Sequence, residues 1–158
     1  MQRRLNKFFP GNDNYEIAYK AIYSVNQRVA ETFRKGRVLL AGDSAHVNNP
    51  IGGMGLNGGI QDAANLCEKL AQILLENASD KILDLYSRQR RAVAVEFVQE
   101  QSIANKKRLE AREPEARARN LGELRDIAAD PARARLFLLR SSMLTSQKRA
   151  ATMTLESA

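Results

Sequence analysis

The strongest candidate for chemistry in this sequence is a glycine-rich stretch that follows an apolar run. Six of the nine glycines fall between Gly42 and Gly59, and residues 52–59 read Gly-Gly-Met-Gly-Leu-Asn-Gly-Gly. Because each glycine costs backbone entropy on folding, the cluster indicates unusual backbone angles or room for a flat or charged group beside the main chain. A helix predicted from about Leu56 adds unpaired N–H groups, which favour an anionic or electron-rich ligand.

One acidic residue stands beside this stretch. Asp43 ends the run Arg37-Val38-Leu39-Leu40-Ala41-Gly42, which is predicted to be a buried, parallel strand, and open α/β sheets bind ligands at the carboxyl ends of such strands. An ionised carboxylate accepts hydrogen bonds, so its natural partners are hydroxyls of a sugar or polyol. The spacing fits neither a P-loop nor a Gly-x-Gly-x-x-Gly motif directly after a strand. The residues alone indicate a backbone-lined pocket with one hydroxyl-seeking acid.

The flanking patterns predict one more strand and a long helix. Aromatic and β-branched residues alternate over residues 15–25, which is typical of a strand. The helix from Leu56 carries an apolar stripe. The members of the stripe are Ile60, Ala63, Ala64, Leu66, Leu70, Ile73 and Leu74.

The second half of the chain is predicted to be helical. Ser79 or Asp80 can cap the next helix, and Pro114 breaks or restarts it. Asp130-Pro131 is a start signal for a further helix holding residues 136–144, with Asp as cap and Pro in the first helical position. Residues 150–158 lack periodicity and are expected to fray.

Composition narrows the function classes. The 158 residues are 44% hydrophobic and carry a net charge of +7, but the basic excess lies in residues 88–149, where it alternates with acids and few aromatics occur. This pattern is typical of solvated helix faces and argues against nucleic-acid binding. No apolar run is long enough for a membrane span. The single cysteine, Cys67, excludes an intramolecular disulfide and a cysteine-based zinc site, and fits a reducing cytoplasm.

At the glycine-rich stretch the chain is similar to a known family. Residues 36–46 (Gly-Arg-Val-Leu-Leu-Ala-Gly-Asp-Ser-Ala-His) and 49–66 resemble the second flavin-binding motif of the FAD-dependent aromatic hydroxylases, the para-hydroxybenzoate hydroxylase-like group of flavoprotein monooxygenases. The resemblance is specific over about residues 23–91. It implies an α/β fold, namely the C-terminal part of an FAD/NAD(P)-binding Rossmann-like fold that is helix-rich in this chain.

The resemblance also implies a cofactor site. Gly42 and Asp43 would contact the ribityl chain of FAD, and the segment that follows would run past the isoalloxazine ring. The residues assigned to that segment are Pro50, Gly52, Gly53, Met54, Gly55, Leu56 and Asn57. In such enzymes NADH or NADPH reduces the flavin, O2 forms a flavin hydroperoxide, and an aromatic or polyketide-like substrate is hydroxylated. The cofactor supplies the chemistry, so no side chain is assigned a catalytic role and no metal is expected.

The resemblance divides the chain into three parts. Residues 1–30 correspond to a remnant of the substrate-domain sheet and the crossover, residues 31–78 to the C-terminal part of the FAD-binding domain, and residues 79–158 to a C-terminal helical region. The N-terminal βαβ unit that holds the ADP half of FAD is not found. The chain is therefore expected to need that N-terminal half as a partner, and neither to hold FAD tightly nor to turn over alone. Homo-oligomerisation is left open.

Two other functions are compatible with the residues: a non-catalytic basic helical interaction module, and a flavin oxidoreductase that does not insert oxygen. For single residues, we expect His46 to organise the loop through a hydrogen bond, because no acid partner is visible beside it. Cys67 is expected in the core and Arg90 and Arg91 on a wet helix face. Asn48 and Asn49 are predicted to form turns, and the tyrosines of residues 15–23 to pack on a sheet rather than line a substrate cavity.

Overall fold

The structure, a computed structural model, describes residues 1–10, 15–51 and 53–155. In these residues the α-helices are α1 (Gln2–Phe8), α2 (Met54–Glu76), α3 (Ile82–Val93), α4 (Glu100–Glu110), α5 (Pro114–Ala129), α6 (Pro131–Ser141) and α7 (Leu144–Ala151). The strands are β1 (Arg28–Val29), β2 (Arg34–Lys35), β3 (Val38–Leu39) and β4 (His46–Val47). A π-helical segment, Ala94–Gln99, joins α3 to α4, and a 3-10 turn occupies Gly42–Ser44. The predicted mixed α/β, helix-rich character is confirmed.

The strands form two antiparallel ribbons. β2 pairs with β3 through a turn at Gly36, and β1 pairs with β4 so that Val29 faces His46. The predicted parallel strand over residues 37–43 is therefore wrong: only Val38–Leu39 is strand, and it is antiparallel. A parallel strand requires a parallel neighbour, and the described part of the chain offers none.

The predicted strand over residues 15–25 is also wrong. Residues 15–25 have no regular secondary structure, and Tyr19 and Tyr23 are 83% and 79% exposed. Alternation favours a strand only where another strand accepts its backbone hydrogen bonds, and no described strand pairs with this segment. The predicted packing of these tyrosines on a sheet is accordingly wrong.

The helix predicted from about Leu56 is confirmed as α2, which begins at Met54. Its buried face differs from the predicted apolar stripe. Ile60 and Leu74 are 60% and 76% exposed, and Cys67 is exposed rather than in the core. The buried positions of α2 are Met54, Gly58, Asp62 and Lys69. The face that packs inward is thus partly polar, which apolar periodicity cannot reveal.

The start signals at Pro114 and Asp130-Pro131 are confirmed, but the cap predicted at Ser79 or Asp80 is wrong: Lys81 is the N-cap of α3, and no described side chain caps that helix. Pro114 begins α5, and the Asp130 carboxylate accepts hydrogen bonds from the Ala132 and Arg133 amides at 2.8 and 3.2 Å, which caps α6. The single helix predicted beyond Asp130 is interrupted, because Met143 adopts φ 63° and starts α7. Within the described residues, no helix is both long and apolar enough to cross a membrane.

Two small apolar clusters hold the elements together. Met54, Val93, Val98, Met143 and Ala150 form one cluster, and Phe33, Ala45, Tyr86 and Ala94 form the other. The Tyr86 hydroxyl donates to the Leu40 carbonyl at 2.6 Å, and its burial raises the pKa of Tyr86 to about 12. Helix α3 is thereby fastened to the segment that leads into Gly42.

Candidate functional site

Asp43 lies at the centre of the 3-10 turn Gly42–Ser44. Gly42 has φ 59°, a left-handed conformation that glycine adopts without strain. The Ser44 hydroxyl donates to the Ala41 carbonyl at 2.7 Å and accepts from the Ala41 amide at 3.3 Å, which closes the turn. The Asp43 side chain is exposed and has no hydrogen-bond or ion-pair partner among the described residues. The turn is thus held by its backbone, and its carboxylate is presented to a ligand.

Asparagine side chains organise the loop between the turn and α2: Asn49 forms a local turn, as predicted, whereas Asn48 contacts His46 instead of forming a turn. The Asn49 side-chain oxygen accepts from the Ile51 amide at 3.1 Å, and the Asn48 amide nitrogen lies 3.0 Å from His46 Nδ1. The Gly53 amide donates to the Pro50 carbonyl at 3.1 Å. Of the predicted cofactor residues, Pro50 is exposed, and Gly52 lies outside the described residues.

The first turn of α2 offers backbone N–H groups without side-chain caps. Gly53 is the N-cap at φ 64°, and no side chain caps the helix, so the N–H groups of the first turn lack intrahelical partners. No other group lies within 4 Å of the position of a Cβ on Gly55. Leu56 is 76% exposed, and Asn57 is exposed. Met54 is 5% exposed and packs in the core, so only its backbone faces this open region.

Beneath the exposed turn lies a buried network centred on Asp62. One carboxylate oxygen, Oδ2, accepts from the Gly42 amide at 3.0 Å and lies 2.8 Å from His46 Nε2. The other, Oδ1, accepts from Arg90 Nε at 2.6 Å. The side chains of His46, Asp62 and Arg90 are 1%, 0% and 3% exposed. Phe33 stacks on the His46 ring at a centroid distance of 6.1 Å.

This network corrects two predictions. His46 does organise the loop, but it has an acid partner, Asp62, which stands sixteen residues later on α2. Arg90 is buried and ion-paired rather than on a wet face, whereas Arg91 is exposed as predicted. No local signal in the sequence identifies the pair, because the faces of α2 and α3 that bring the two residues together are defined only by the packing of these helices. Asp62 falls four residues after Gly58 on the inward face of α2, and Arg90 falls four after Tyr86 on the inward face of α3.

The network keeps Asp62 ionised. Burial by itself raises the pKa of a carboxyl group, but the hydrogen bonds from His46 and Arg90, the Arg90 charge and the Gly42 amide outweigh burial and lower the pKa of Asp62. Because an ionised carboxylate only accepts hydrogen bonds, His46 Nε2 carries a hydrogen and donates it. Asp62 is therefore the acceptor for three elements at once: the turn, β4 and α3.

The lowered pKa of Asp62 predicts a dependence of stability on pH. A carboxyl group whose pKa is lower in the folded state stabilises the fold above its unfolded pKa, near about 4, and this stabilisation is lost as the pH falls through the folded value. We expect urea unfolding between about pH 6 and about pH 3 to show a steeper loss of stability for the wild type than for Asp62→Asn. Parallel curves for the two proteins would contradict the assignment.

Two glycines of α2, Gly58 and Gly59, pack against the residues that support the Asp43 turn. A Cβ on Gly58 would lie 3.2 Å from His46 Cε1, and a Cβ on Gly59 would lie 3.2 Å from the Gly42 Cα. The second contact joins two backbones, so neither partner can rotate away. The close approach of Gly42 and Gly59 fixes the distance between the Asp43 turn and α2.

We expect Gly59→Ala to lower the free energy of unfolding by roughly 1–2 kcal/mol, because backbone displacement outweighs the gain in helix propensity. Gly55→Ala is the matched control on the same helix. It meets open space, so it should leave stability unchanged or raise it by up to about 1 kcal/mol. Urea denaturation followed by circular dichroism measures both. Equal shifts in the two variants would show that the contact with Gly42 is not tight.

The family described as "FAD binding domain" matches residues 6–101, which include the turn, the glycine loop, α2 and Arg90. The chain belongs to this FAD binding domain family. The family resemblance stated from the glycine-rich motif is therefore confirmed, and the family's cofactor, FAD, agrees with the prediction.

Individual relatives in the family are monooxygenases. The chain is 38% identical over 151 residues to para-nitrophenol 4-monooxygenase of Pseudomonas sp. (strain WBC-3), which covers 94% of this chain and 38% of that protein. The crystal structure of p-nitrophenol 4-monooxygenase PnpA from Pseudomonas putida DLL-E4 superimposes with a TM-score of 0.74 at 41% identity, covering 88% of this chain and 38% of the other. The flavin-dependent monooxygenase PieE, solved with FAD and substrate, gives a TM-score of 0.51 at 29% identity, with coverages of 82% and 22%.

These comparisons confirm the fold class. The α/β, helix-rich arrangement is that of a segment of the FAD-dependent monooxygenases, with the para-hydroxybenzoate hydroxylase-like fold that the motif implies. The chain spans about 38% of the length of the para-nitrophenol 4-monooxygenase that it matches.

Proposed function

We propose that this chain supplies the flavin-ring and ribityl contacts of an FAD-dependent monooxygenase that hydroxylates an aromatic or polyketide-like substrate. The observation that carries the proposal is the exposed Asp43 carboxylate, which has no partner in the described part of the chain, on a turn packed against the start of α2, inside the segment matched by the family. The names of the relatives, which include a monooxygenase of para-nitrophenol, support an aromatic substrate. We place the enzyme in the cytoplasm, in keeping with its single, unpaired cysteine.

The residues present fit FAD. The Asp43 carboxylate would accept hydrogen bonds from ribityl hydroxyls. The N–H groups of the first turn of α2 would donate to the electron-rich edge of the ring, where the helix dipole stabilises negative charge. The open space at Gly55 lets a planar group approach the backbone there. When bound, FAD supplies the redox chemistry, taking electrons from NADH or NADPH and passing them to O2.

In this proposal the residues of the chain bind and orient the flavin, and they do not transfer protons. His46 is buried and held by Asp62 and Asn48, so its ring is fixed in the support of the turn rather than presented to a substrate. The cofactor residues proposed are Gly42, Asp43, Pro50, Gly52, Gly53, Met54, Gly55, Leu56 and Asn57, with Met54 acting through its backbone. Contacts to the ADP half of FAD would come from polypeptide equivalent to the remainder of the relatives' length.

A chimera tests the proposal. The matching segment of para-nitrophenol 4-monooxygenase is replaced by this chain, and the purified protein is examined for bound FAD by absorbance and for NADH- or NADPH-dependent O2 uptake. We expect a yellow protein that consumes O2 and forms hydroxylated product from p-nitrophenol or another phenol. The relative with its segment deleted is the control and should be colourless.

The outcomes separate the alternatives. A folded chimera without FAD would overturn the flavin role and leave an interaction module as the better reading. A chimera that binds FAD and oxidises NADPH, but forms no hydroxylated product with any phenol tested, would favour a flavin oxidoreductase that does not insert oxygen.

A further inference from the structure

We propose that Asp62 is a positioning residue for the flavin: it fixes the Gly42–Ser44 turn so that the Asp43 carboxylate stands where the ribityl chain passes. Asp62 itself has no access to a ligand, because its side chain is 0% exposed. Its effect must therefore pass through the groups that it binds. The inference rests on the proposed function and adds a residue that the glycine-rich motif does not assign to the cofactor.

The first step is that Asp62 holds the backbone on both sides of Asp43. The Gly42 amide, directly before Asp43, donates to Asp62 Oδ2 at 3.0 Å. His46, three residues after Asp43, contacts the same oxygen at 2.8 Å. The turn between these two anchors therefore has little freedom, while the Asp43 carboxylate itself makes no hydrogen bond or ion pair with any residue that the structure describes.

The second step is that α3 holds Asp62. Arg90 Nε donates to Asp62 Oδ1 at 2.6 Å, and the Arg90 NH2 group donates to the Gly58 carbonyl at 3.3 Å. The carboxylate is thereby clamped between the turn on one side and α3 on the other. Helix α3 also binds the segment before the turn through Tyr86 and Leu40. The position of Asp43 is consequently set by α2 and α3 together.

The third step is that an amide cannot replace this carboxylate. Donors face both oxygens: the Gly42 amide on one side and Arg90 Nε on the other. In Asp62→Asn the side-chain NH2 must face one of these donors, and neither a backbone amide nor a guanidinium can become an acceptor. The shape is retained, but one buried donor is left unsatisfied. The variant therefore disrupts the hydrogen bonds of Asp62 without changing the packing around it.

The test uses the chimera described above, which contains all 158 residues of this chain, and two flavins, riboflavin and lumiflavin, which share the ring system but differ in the ribityl chain. NMR titration gives both dissociation constants, and amide exchange reports on Gly42. For Asp62→Asn we expect Gly42 exchange and the riboflavin dissociation constant each to rise about tenfold, with the lumiflavin constant changed less than about twofold. The control is Glu76→Gln, which removes an exposed charge from the end of the same helix.

A second variant guards against misfolding. Asp62→Glu keeps a negative charge opposite Arg90, so no buried charge is left uncompensated, but it moves the carboxylate oxygens by one methylene relative to Gly42; circular dichroism checks the fold. It should show the same selective loss of riboflavin binding. Asp43→Asn should reproduce the riboflavin effect without the change in Gly42 exchange, because it leaves the network intact.

Unchanged Gly42 exchange, or equal weakening of both flavins, would overturn the positioning role. A wild-type chimera that binds neither flavin would overturn the proposed function, and the flavin role of Asp62 with it. A wild type that binds riboflavin in preference to lumiflavin, together with an Asp62→Asn variant that does so equally well, would overturn this inference alone.

Discussion

Arg90→Met should lower the free energy of unfolding by roughly 3–5 kcal/mol, because it leaves the Asp62 carboxylate buried without its cationic partner. Arg90 is 3% exposed and Asp62 is 0% exposed, so water cannot replace the lost hydrogen bond. Methionine has a similar length and leaves little cavity, which confines the effect to charge and hydrogen bonding. Urea unfolding at neutral pH, followed by circular dichroism, measures it.

Arg91→Met is the matched control for Arg90. Arg91 is the next residue on α3, is exposed, and donates a hydrogen bond to the Ala30 carbonyl at 3.2 Å, so its replacement should cost at most about 1 kcal/mol. The double variant Asp62→Asn/Arg90→Met should be more stable than the sum of its single effects implies, because neither charge is then left alone. Additive losses would show that the two residues act independently.

Asp43→Ala should weaken FAD binding by the chimera about 10- to 100-fold, the range expected for hydrogen bonds to a charged acceptor. The fold should not change, because the Asp43 side chain has no partner among the described residues. Fluorescence quenching of FAD measures the affinity, and circular dichroism checks the fold.

The control for Asp43 is Asp126→Ala, which removes an exposed carboxylate from α5. It alters net charge as Asp43→Ala does, so any difference between them reports on the position of the carboxylate. Equal FAD affinities in the two variants would remove Asp43 from the cofactor site and would leave the α2 N-terminus as the only element of the proposed site with a defined role.

Local signals in the sequence are sufficient to place the starts of α5 and α6. Pro114 and the Asp130-Pro131 pair mark helix starts through their own backbone chemistry, so no distant residue is needed to read them. The strands were mispredicted because pairing is not local. Residues 15–25 alternate as a strand does, but alternation states only which side chains share a face and does not supply a neighbour.

The candidate site likewise has one part that can be predicted from local sequence and one part that depends on distant residues. The glycine loop and Asp43 are contiguous, so their chemistry can be read in one pass along the chain. The support beneath them depends on Asp62 and Arg90, which are 28 residues apart and each of which, taken alone, is typical of a solvated helix face. The two residues can be recognised as an ion pair only once α2 and α3 are packed with their inward faces together, because the acid and the base then lie opposite each other.

The apolar cluster next to the glycine loop contains Met54 and Met143, which pack together with Val93, Val98 and Ala150. Thioether side chains are unbranched and polarisable, and they change rotamer more easily than leucine or isoleucine. A small displacement of the backbone above them can be absorbed by this soft layer without opening a void. The loop is consequently rigid next to Asp62 and deformable next to Met54. Any adjustment to a bound planar group would therefore be concentrated next to Gly53 rather than at the Asp43 carboxylate.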